Sequence, residues 1–590
     1  MELLPASRYS IGETPVTLRE ALKTINENLA NQTEKSPRFR LALACGFVAL
    51  HLKTFLAAHT TLLRPNAAIE VSEGLYGDLA GNLERLEGKK PDAVVAVVEW
   101  ADLDARLGAR SAGGWTADSL PDIARTAKLQ LQRIAAALDG LRGCTRVLAG
   151  PTLPFPPVDY SRPSRLSPLA AEIELELAGQ RRQLAASGVI VIPPQAVDRV
   201  SPPSGRSDVR SEIAVGFPYG LGHAELLAGI IAKEVSPPAR KKGLITDLDD
   251  TLWNGILGEV GVDGVGWTLE RQSQPNGLYQ QFLGSLAAAG VLIAVATKND
   301  PDLVGQALGR PDLLIAARAL FPVEAHWGPK STSVRRILRA WNIGPDAVVF
   351  VDDSAMELAE VKAAHPEIEC VAFPRDDPAR LWQLLFELRS LFGTAELTAE
   401  DSLRVASLKS GAAFEEAKGE AADMDAFLRE AQSELSISKR RGGGARAFEL
   451  LNKTNQFNLN GVRVSESEWA DMAAREHFVV EISYRDRYGQ FGNIAVLVGR
   501  ANGDTVIVTH WVMSCRVFSR RIEHCCLRYL FEEFKAAEVV LRFQSTARNS
   551  PFREFVAGIM NSNPEDGDVR ISRPLFEGNC PQLHHRIRSA

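Results

Sequence analysis

Three apolar runs in this chain end in polar, chemically active residues, and no other feature constrains its fold as tightly. The runs are LITDLDD (244–250), VLIAVATK (291–298) and AVVFVDD (347–353). A strand that is apolar on both sides must be covered on both faces, as in a parallel sheet flanked by helices. In open α/β sheets of this kind, ligands gather beyond the carboxyl ends of the strands. The side chains expected there are Asp247 and Asp249, then Thr297, then Asp352 and Asp353.

These residue types suit phosphoryl transfer. An aspartate at a strand end can attack phosphorus as a nucleophile. A carboxylate two residues further on faces the same side, and it can protonate the leaving oxygen and then activate water. Thr297 offers a hydroxyl to a phosphate oxygen, and Lys298 and Asn299 beside it are further candidates for holding substrate. Lys330, in HWGPKS, can bring positive charge to the phosphate and the nucleophile. Carboxylate oxygens on neighbouring strand ends suit Mg²⁺, with Asp247, Asp249, Asp352 and Asp353 as the candidate metal residues. Any one element alone is an ordinary acidic loop or a chance match. Their occurrence together, in one order and at the ends of apolar runs, makes coincidence a poor explanation.

The rest of the chain reads as flanking domains. FRLALACGFVAL (39–50), DAVVAVVEW (92–100), TRVLAG (145–150) and GVIVIP (188–193) read as buried strands. The stretches 123–141 and 223–235 between and after them read as helices. Segment 236–243, SPPARKKG, is linker-like, and 402–432 is helical and rich in Ala and Glu. Near the C-terminus, 478–486, 493–500, 504–513 and 538–543 read as strands around a long helix at 519–537, an α+β pattern. SKRRGGGAR (438–446) lacks the GxxxxGK[ST] spacing of a phosphate loop and reads as a flexible basic linker. With 590 residues and roughly 100–200 per domain, the expectation is three domains. They are 1–235, 236–396 and 433–590, with a helical connector at 397–432.

Composition narrows the partners. A net charge of −6 offers no global basic surface for nucleic acid. No apolar window of about 18 residues is present, so no membrane span is expected. The first residues lack a basic stretch followed by an apolar run, so no signal peptide is expected. The seven cysteines are scattered with no CxxC pair, which suggests neither a zinc ribbon nor a disulfide framework. A cytoplasmic protein is the expectation.

The four elements at Asp247/Asp249, Thr297, Lys330 and Asp352/Asp353 resemble the haloacid dehalogenase (HAD) superfamily. The resemblance implies a phospho-enzyme on Asp247 and acid/base work by Asp249. It also implies Mg²⁺ held by the Asp247 carboxylate, the Asp249 backbone carbonyl and Asp352, with Asp353 in support. DLDDTLWNGILGEVGVDGV, ATKND, PKS, FVDDSAMELAEV, NKTNQFNL, YRDRYGQFG and MSCR are similar to FkbH-like proteins of HAD subfamily IIIC, which have no large cap. Members tied to polyketide pathways take a glyceryl unit from 1,3-bisphosphoglycerate, remove its phosphate and load the acyl group on an acyl carrier protein. The resemblance therefore implies a small phosphorylated metabolite as substrate and a carrier protein as partner. A plain small-molecule phosphatase and a carrier-binding scaffold remain the alternatives.

Cys515 is the candidate thiol for a transient acyl group, since Arg516 to Arg521 and a helix start would lower its pKa. A small buried cysteine is the competing reading. The domain around it resembles the GNAT acyltransferase fold. In that fold's R/Q-x-x-G-x-G/A loop, Arg516 stands first while Ser519 and Arg521 fill the glycine positions. The added arginine can serve a phosphopantetheine phosphate or an acidic carrier instead, and a solvated basic helix end is the competing reading. Asn455, Gln456 and Asn458 in NKTNQFNL can orient an acyl group or form a structural cap. Residues 36–235 resemble an SGNH-hydrolase-like domain without its serine: Cys45 stands near that place and His223 is a relic base or a helix-start histidine. A non-catalytic role is expected there.

Overall fold

A computed structural model of the chain describes residues 16–33, 36–238, 240–393, 423–441, 444–454, 457–464, 478–514, 517–546 and 549–589, with isolated positions between them (410, 414, 417, 418, 468, 469, 471, 472). The chain divides into two compact units, Met1–Pro238 and Ala239–Ala590. Among the described residues no helix is long and apolar enough to cross a membrane.

In the first unit, β1 (Arg38–Ala44), β2 (Ala68–Glu73), β3 (Ala93–Val97), β4 (Thr145–Ala149) and β5 (Ile190–Val191) form a parallel sheet in the order β2-β1-β3-β4-β5. All of β3 is buried. Its Ala93, Val95 and Val97 pack with the helices Leu50–Leu63 and Leu221–Val235 on one face. Val94 and Ala96 pack with Leu120–Gly140 and Pro168–Ala186 on the other. The alternation follows from the two-residue period of a strand. The apolar run 39–50, expected as one strand, stops at Ala44, and a helix begins at Leu50. Asp102 Oδ1 would lie 1.7 Å from a Cβ at Gly46, so the glycine is what admits the carboxylate at this turn.

The second unit contains two sheets. The first is parallel: β6 (Gly243–Thr246), β7 (Leu292–Thr297), β8 (Leu320–Ala325), β9 (Val348–Asp352) and β10 (Glu369–Ala372), in the order β10-β9-β6-β7-β8. β6, β7 and β9 are buried throughout. A Cβ at Gly243 would lie 2.4 Å from the Trp341 ring, so glycine at the start of β6 is set by that indole. The chain runs outward from β6 to β7 and β8, then crosses back to lay β9 on the other side of β6. The strand order therefore reverses between β6 and β9, where an open α/β sheet forms its ligand crevice.

The other sheet is mixed: β11 (Glu434–Arg441), β12 (Phe457–Asn458), β13 (Phe478–Asp486), β14 (Gly489–Asn502), β15 (Thr505–Met513), β16 (Glu538–Phe543), β17 (Gly567–Ser572) and β18 (Arg586–Ser589). Parallel strands β15 and β16 pair only from Thr505 to Val508. Beyond that they part, and residues 457–459 bridge them. β12 pairs with Val512 and Met513, Leu459 N–H donates to Trp511 O at 2.9 Å, and Gln544 N–H donates to Leu459 O at 3.2 Å. The basic stretch 438–446, expected as a linker, is instead divided between two elements. Ser438–Arg441 completes β11, and a helix spans Ala445–Lys453. Leu435 and Ile437 of β11, both buried in the apolar core, hold the strand while its basic end continues the ladder. Two α/β sheets and a mixed sheet agree with the α/β fold class. Of the expected connector 397–432, most lies outside the described residues, and Met424–Glu430 is helical.

Candidate active site

Asp247 follows β6 and donates its N–H to Val351 O of β9 at 3.0 Å, so the two strand ends are tied at the switch point. Asp352 is the last residue of β9, and Thr297 the last of β7. Lys330 opens the helix Lys330–Trp341 that follows β8. These positions converge. Lys330 Nζ lies 2.8 Å from Asp247 Oδ1 and 2.6 Å from Asp352 Oδ2, and all three side chains are nearly or wholly buried. Asp247, Asp352 and Asp353 each bring a carboxylate oxygen within 4.8 Å of the others.

The charge balance of this cluster is negative. Lys330 gives one positive charge to two buried carboxylates, and the part-buried Asp353 adds a third carboxylate, which Arg375 offsets in part at 3.3 Å. Burial pushes Asp247 up to about 7, with Lys330 pulling down and Asp352 pushing up. Burial raises Asp352 as well, against Lys330. Burial pulls the Lys330 ammonium down, but the two carboxylates outweigh it and hold it above its usual range. Buried carboxylates short of positive charge are costly. Several hard oxygens converging on one point fit a small divalent cation.

Asp249 takes a different position. Its Oδ1 accepts from Trp253 Nε1 at 2.9 Å and from Leu257 N at 3.1 Å, and its Oδ2 accepts from Asn299 Nδ2 at 3.0 Å. Its side chain thus stands outside the three-carboxylate cluster. Thr297 Oγ1 accepts from the same Asn299 amide at 3.0 Å. Asn299, expected on substrate, is buried and spends both amide hydrogens inside the protein. Lys298, also expected on substrate, reaches Glu357 Oε1 at 2.8 Å and stays partly exposed.

Sequence reasoning assigned no role to four contributors: Asp250, Arg375, Glu360 and Thr251. Asp250, at a φ of +52°, accepts from Gly255 N at 2.8 Å and pairs with Arg375 at 2.9 Å. Arg375 also reaches Asp353 Oδ2 at 3.3 Å. Glu360 accepts from the backbone N–H groups of Lys330 (3.2 Å) and Ser331 (3.1 Å), the first residues of their helix. Arg375 follows β10 in the sequence FPRDD; the run IECVAF around Cys370 reads as a strand, and the strand-end rule, applied there, points to Arg375. Thr251 joins the two motif turns by accepting from Asp353 N at 3.1 Å.

No family model and no curated protein matches the chain. Among solved structures, it aligns with the N-terminal part of protein BF1531 from Bacteroides fragilis, described as containing a phosphatase domain and complexed with Mg. Identity is 19%, over 63% of this chain and 99% of that one, with a TM-score of 0.49. A putative UDP-N-acetylglucosamine 2-epimerase from Listeria monocytogenes aligns at 10% identity over 65% of this chain and 98% of that one, with a TM-score of 0.13. Both scores are too low to carry a function to this chain, so the functional reading comes from side-chain geometry.

The other candidate residues lie elsewhere in the chain. Cys515, Arg516, Asn455 and Gln456 lie outside the described residues. Ser519 and Arg521, at the two glycine positions, have φ of +64° and +59° and so keep a left-handed backbone. The loop's two described arginines, Arg520 and Arg521, are occupied. Arg520 is buried against Asp486 at 3.1 Å and lies 3.7 Å from the Phe414 ring centroid. Arg521 pairs with Asp425 and donates to Gln582 O at 2.8 Å. Asn458 acts as a structural cap, accepting from Gly461 N at 2.8 Å and donating to Thr454 O at 2.9 Å.

In the first unit, Cys45 donates to Phe47 O at 3.2 Å, and burial, with Asp102 beside it, pushes its thiol up to about 12. A thiol held protonated is a poor nucleophile. His223 lies between Thr152 Oγ1 and Ser201 Oγ, both at 2.9 Å, and burial lowers it to about 4. Glu99 accepts from Thr152 Oγ1 (2.6 Å) and Tyr219 OH (2.8 Å). These side chains satisfy one another within the core.

Proposed function

We propose that the chain is a Mg²⁺-dependent phosphatase that works through a phospho-aspartate on Asp247. The observation that carries this is Lys330 held between Asp247 and Asp352 at the switch point of a parallel sheet, with Asp353 completing a three-carboxylate cluster. Asp247, Asp352 and Asp353 are the residues that would hold Mg²⁺, which when bound offsets the negative charge of the cluster and the phosphate.

The Asp247 carboxylate forms a bond to phosphorus as the bond from phosphorus to the leaving oxygen breaks. The leaving oxygen takes a proton from Asp249. Asp249 then removes a proton from a water that attacks the phospho-aspartate, which returns the Asp247 carboxylate and releases inorganic phosphate. Lys330 holds the nucleophile and faces the phosphoryl charge. Thr297, whose oxygen accepts from Asn299, keeps its own hydrogen for a phosphate oxygen.

The finer reading, glyceryl loading from 1,3-bisphosphoglycerate onto an acyl carrier protein, is proposed on the sequence resemblance alone. Its thiol candidate Cys515 lies outside the described residues. One experiment separates the two levels. The chain is incubated with 1,3-bisphosphoglycerate, Mg²⁺ and a pantetheinylated carrier protein; phosphate is assayed and the carrier is weighed by mass spectrometry. Phosphate release that is lost in Asp247→Asn supports the phosphatase, and a glyceryl adduct on the carrier supports the finer reading. Full release by Asp247→Asn would rule out the phospho-aspartate.

A further inference from the structure

The hydrogen-bond arithmetic around Asp249 singles out a residue outside the cluster that faces phosphorus. An ionised carboxylate is acceptor-only, with about two lone pairs on each oxygen. Both positions on Oδ1 are taken, by Trp253 Nε1 and Leu257 N. On Oδ2 one is taken, by Asn299 Nδ2. Among the described contacts this leaves the second lone pair of Oδ2 as the place for a transferable proton. The same amide nitrogen uses its other hydrogen on Thr297 Oγ1, 3.0 Å away, and Asn299 is only 2% exposed. A facing carboxylate fixes the orientation of the amide, because its oxygen could not donate there.

We propose that Asn299 is a positioning residue for proton transfer: one amide aims the free lone pair of Asp249 and turns the Thr297 hydroxyl hydrogen outward. This rests on the phosphatase reading, and it assigns Asn299 a role through Asp249 in place of substrate contact. Proton donation matters most when the leaving oxygen is strongly basic and little when it is a stable anion. The two kinds of substrate therefore separate aiming from general damage to the site.

The test compares wild type, Asn299→Ala and the near-isosteric Asn299→Asp on an alkyl phosphate and on p-nitrophenyl phosphate, with Mg²⁺ and with thermal midpoints measured in parallel. For Asn299→Ala the expected result is a kcat/KM on the alkyl phosphate, which reads only the steps through loss of the leaving group, lower by on the order of 10- to 100-fold. The loss of kcat/KM on p-nitrophenyl phosphate should be under about threefold, because hydrolysis of the phospho-aspartate, common to both substrates, does not enter that ratio. Asn299→Asp, which sets an acceptor against an acceptor, should show the same bias with a larger loss. Equal losses of kcat/KM on the two substrates, or no loss on either, would each overturn the proposal. Should a variant unfold, the other reads the same contact, and collapse of both overturns the positioning role in favour of a purely structural one. A wild-type chain that releases phosphate from neither substrate would instead overturn the phosphatase reading beneath it.

Discussion

Lys330 Nζ lies 2.6 Å from an oxygen of Asp352, a carboxylate whose side chain has no exposure to solvent. The lysine side chain is itself only 6% exposed, so each group depends largely on the other for solvation. That dependence makes the pair a sensitive point for both stability and turnover.

Replacing the ammonium with an apolar chain of similar length tests this directly. Lys330→Met leaves Asp247 and Asp352 facing each other without a counter-charge. Breaking a buried pair by removing one partner costs about 3–5 kcal/mol. The metal-free variant should lose stability on that order in urea unfolding, and its kcat/KM for phosphate release should fall by about 100-fold or more. An unchanged unfolding midpoint with unchanged turnover would remove Lys330 from the site.

Magnesium should act on the folded chain before any substrate is present. Binding to the native state alone stabilises by about 2.7 kcal/mol at a hundredfold excess over Kd. A thermal scan should show the midpoint rising with Mg²⁺ in the wild type and returning to its starting value with a chelator. Asp352→Asn should blunt the rise. Chelation should also stop phosphate release, and release that persists in excess chelator would contradict the metal assignment.

The first unit should show an acid-side dependence through His223. Its folded pKa of about 4 lies below the ordinary 6.5, because burial disfavours the charged ring. Between those values the unfolded chain binds the proton more readily, so this group's contribution to stability grows as pH rises from about 4 to about 6.5, then levels off. His223→Gln removes that contribution. The gap in unfolding free energy between wild type and variant should therefore widen over that window, by up to about 3 kcal/mol. A gap that is flat or that narrows with rising pH would show that the ring is not held neutral.

How much of this was legible in the sequence depended on burial. β6, β7 and β9 are buried on both faces, so their composition alone marked them, and Asp247, Thr297 and Asp352 followed as their ends. β2, at the sheet edge, mixes Ile and Val with Glu and Ser and gave no such signal. β11 hid behind its basic end, because two buried residues, Leu435 and Ile437, are enough to hold it. Asn299 was legible as a polar residue just past the end of β7, but its partner was not. Which acceptor an amide faces depends on a contact 50 residues away along the chain. Arg375 escaped for the same reason, since its two carboxylates belong to turns far from it in sequence.

Glu360 sits with its carboxylate on the first N–H groups of the Lys330 helix. An exposed helix start is a natural resting place for phosphate, and here the protein has supplied its own anion to that place. Under the proposed mechanism, inorganic phosphate leaving Asp247 would find that berth at the root of Lys330 already filled. The root is also clamped, so the lysine can follow departing phosphate only as far as its own side chain extends.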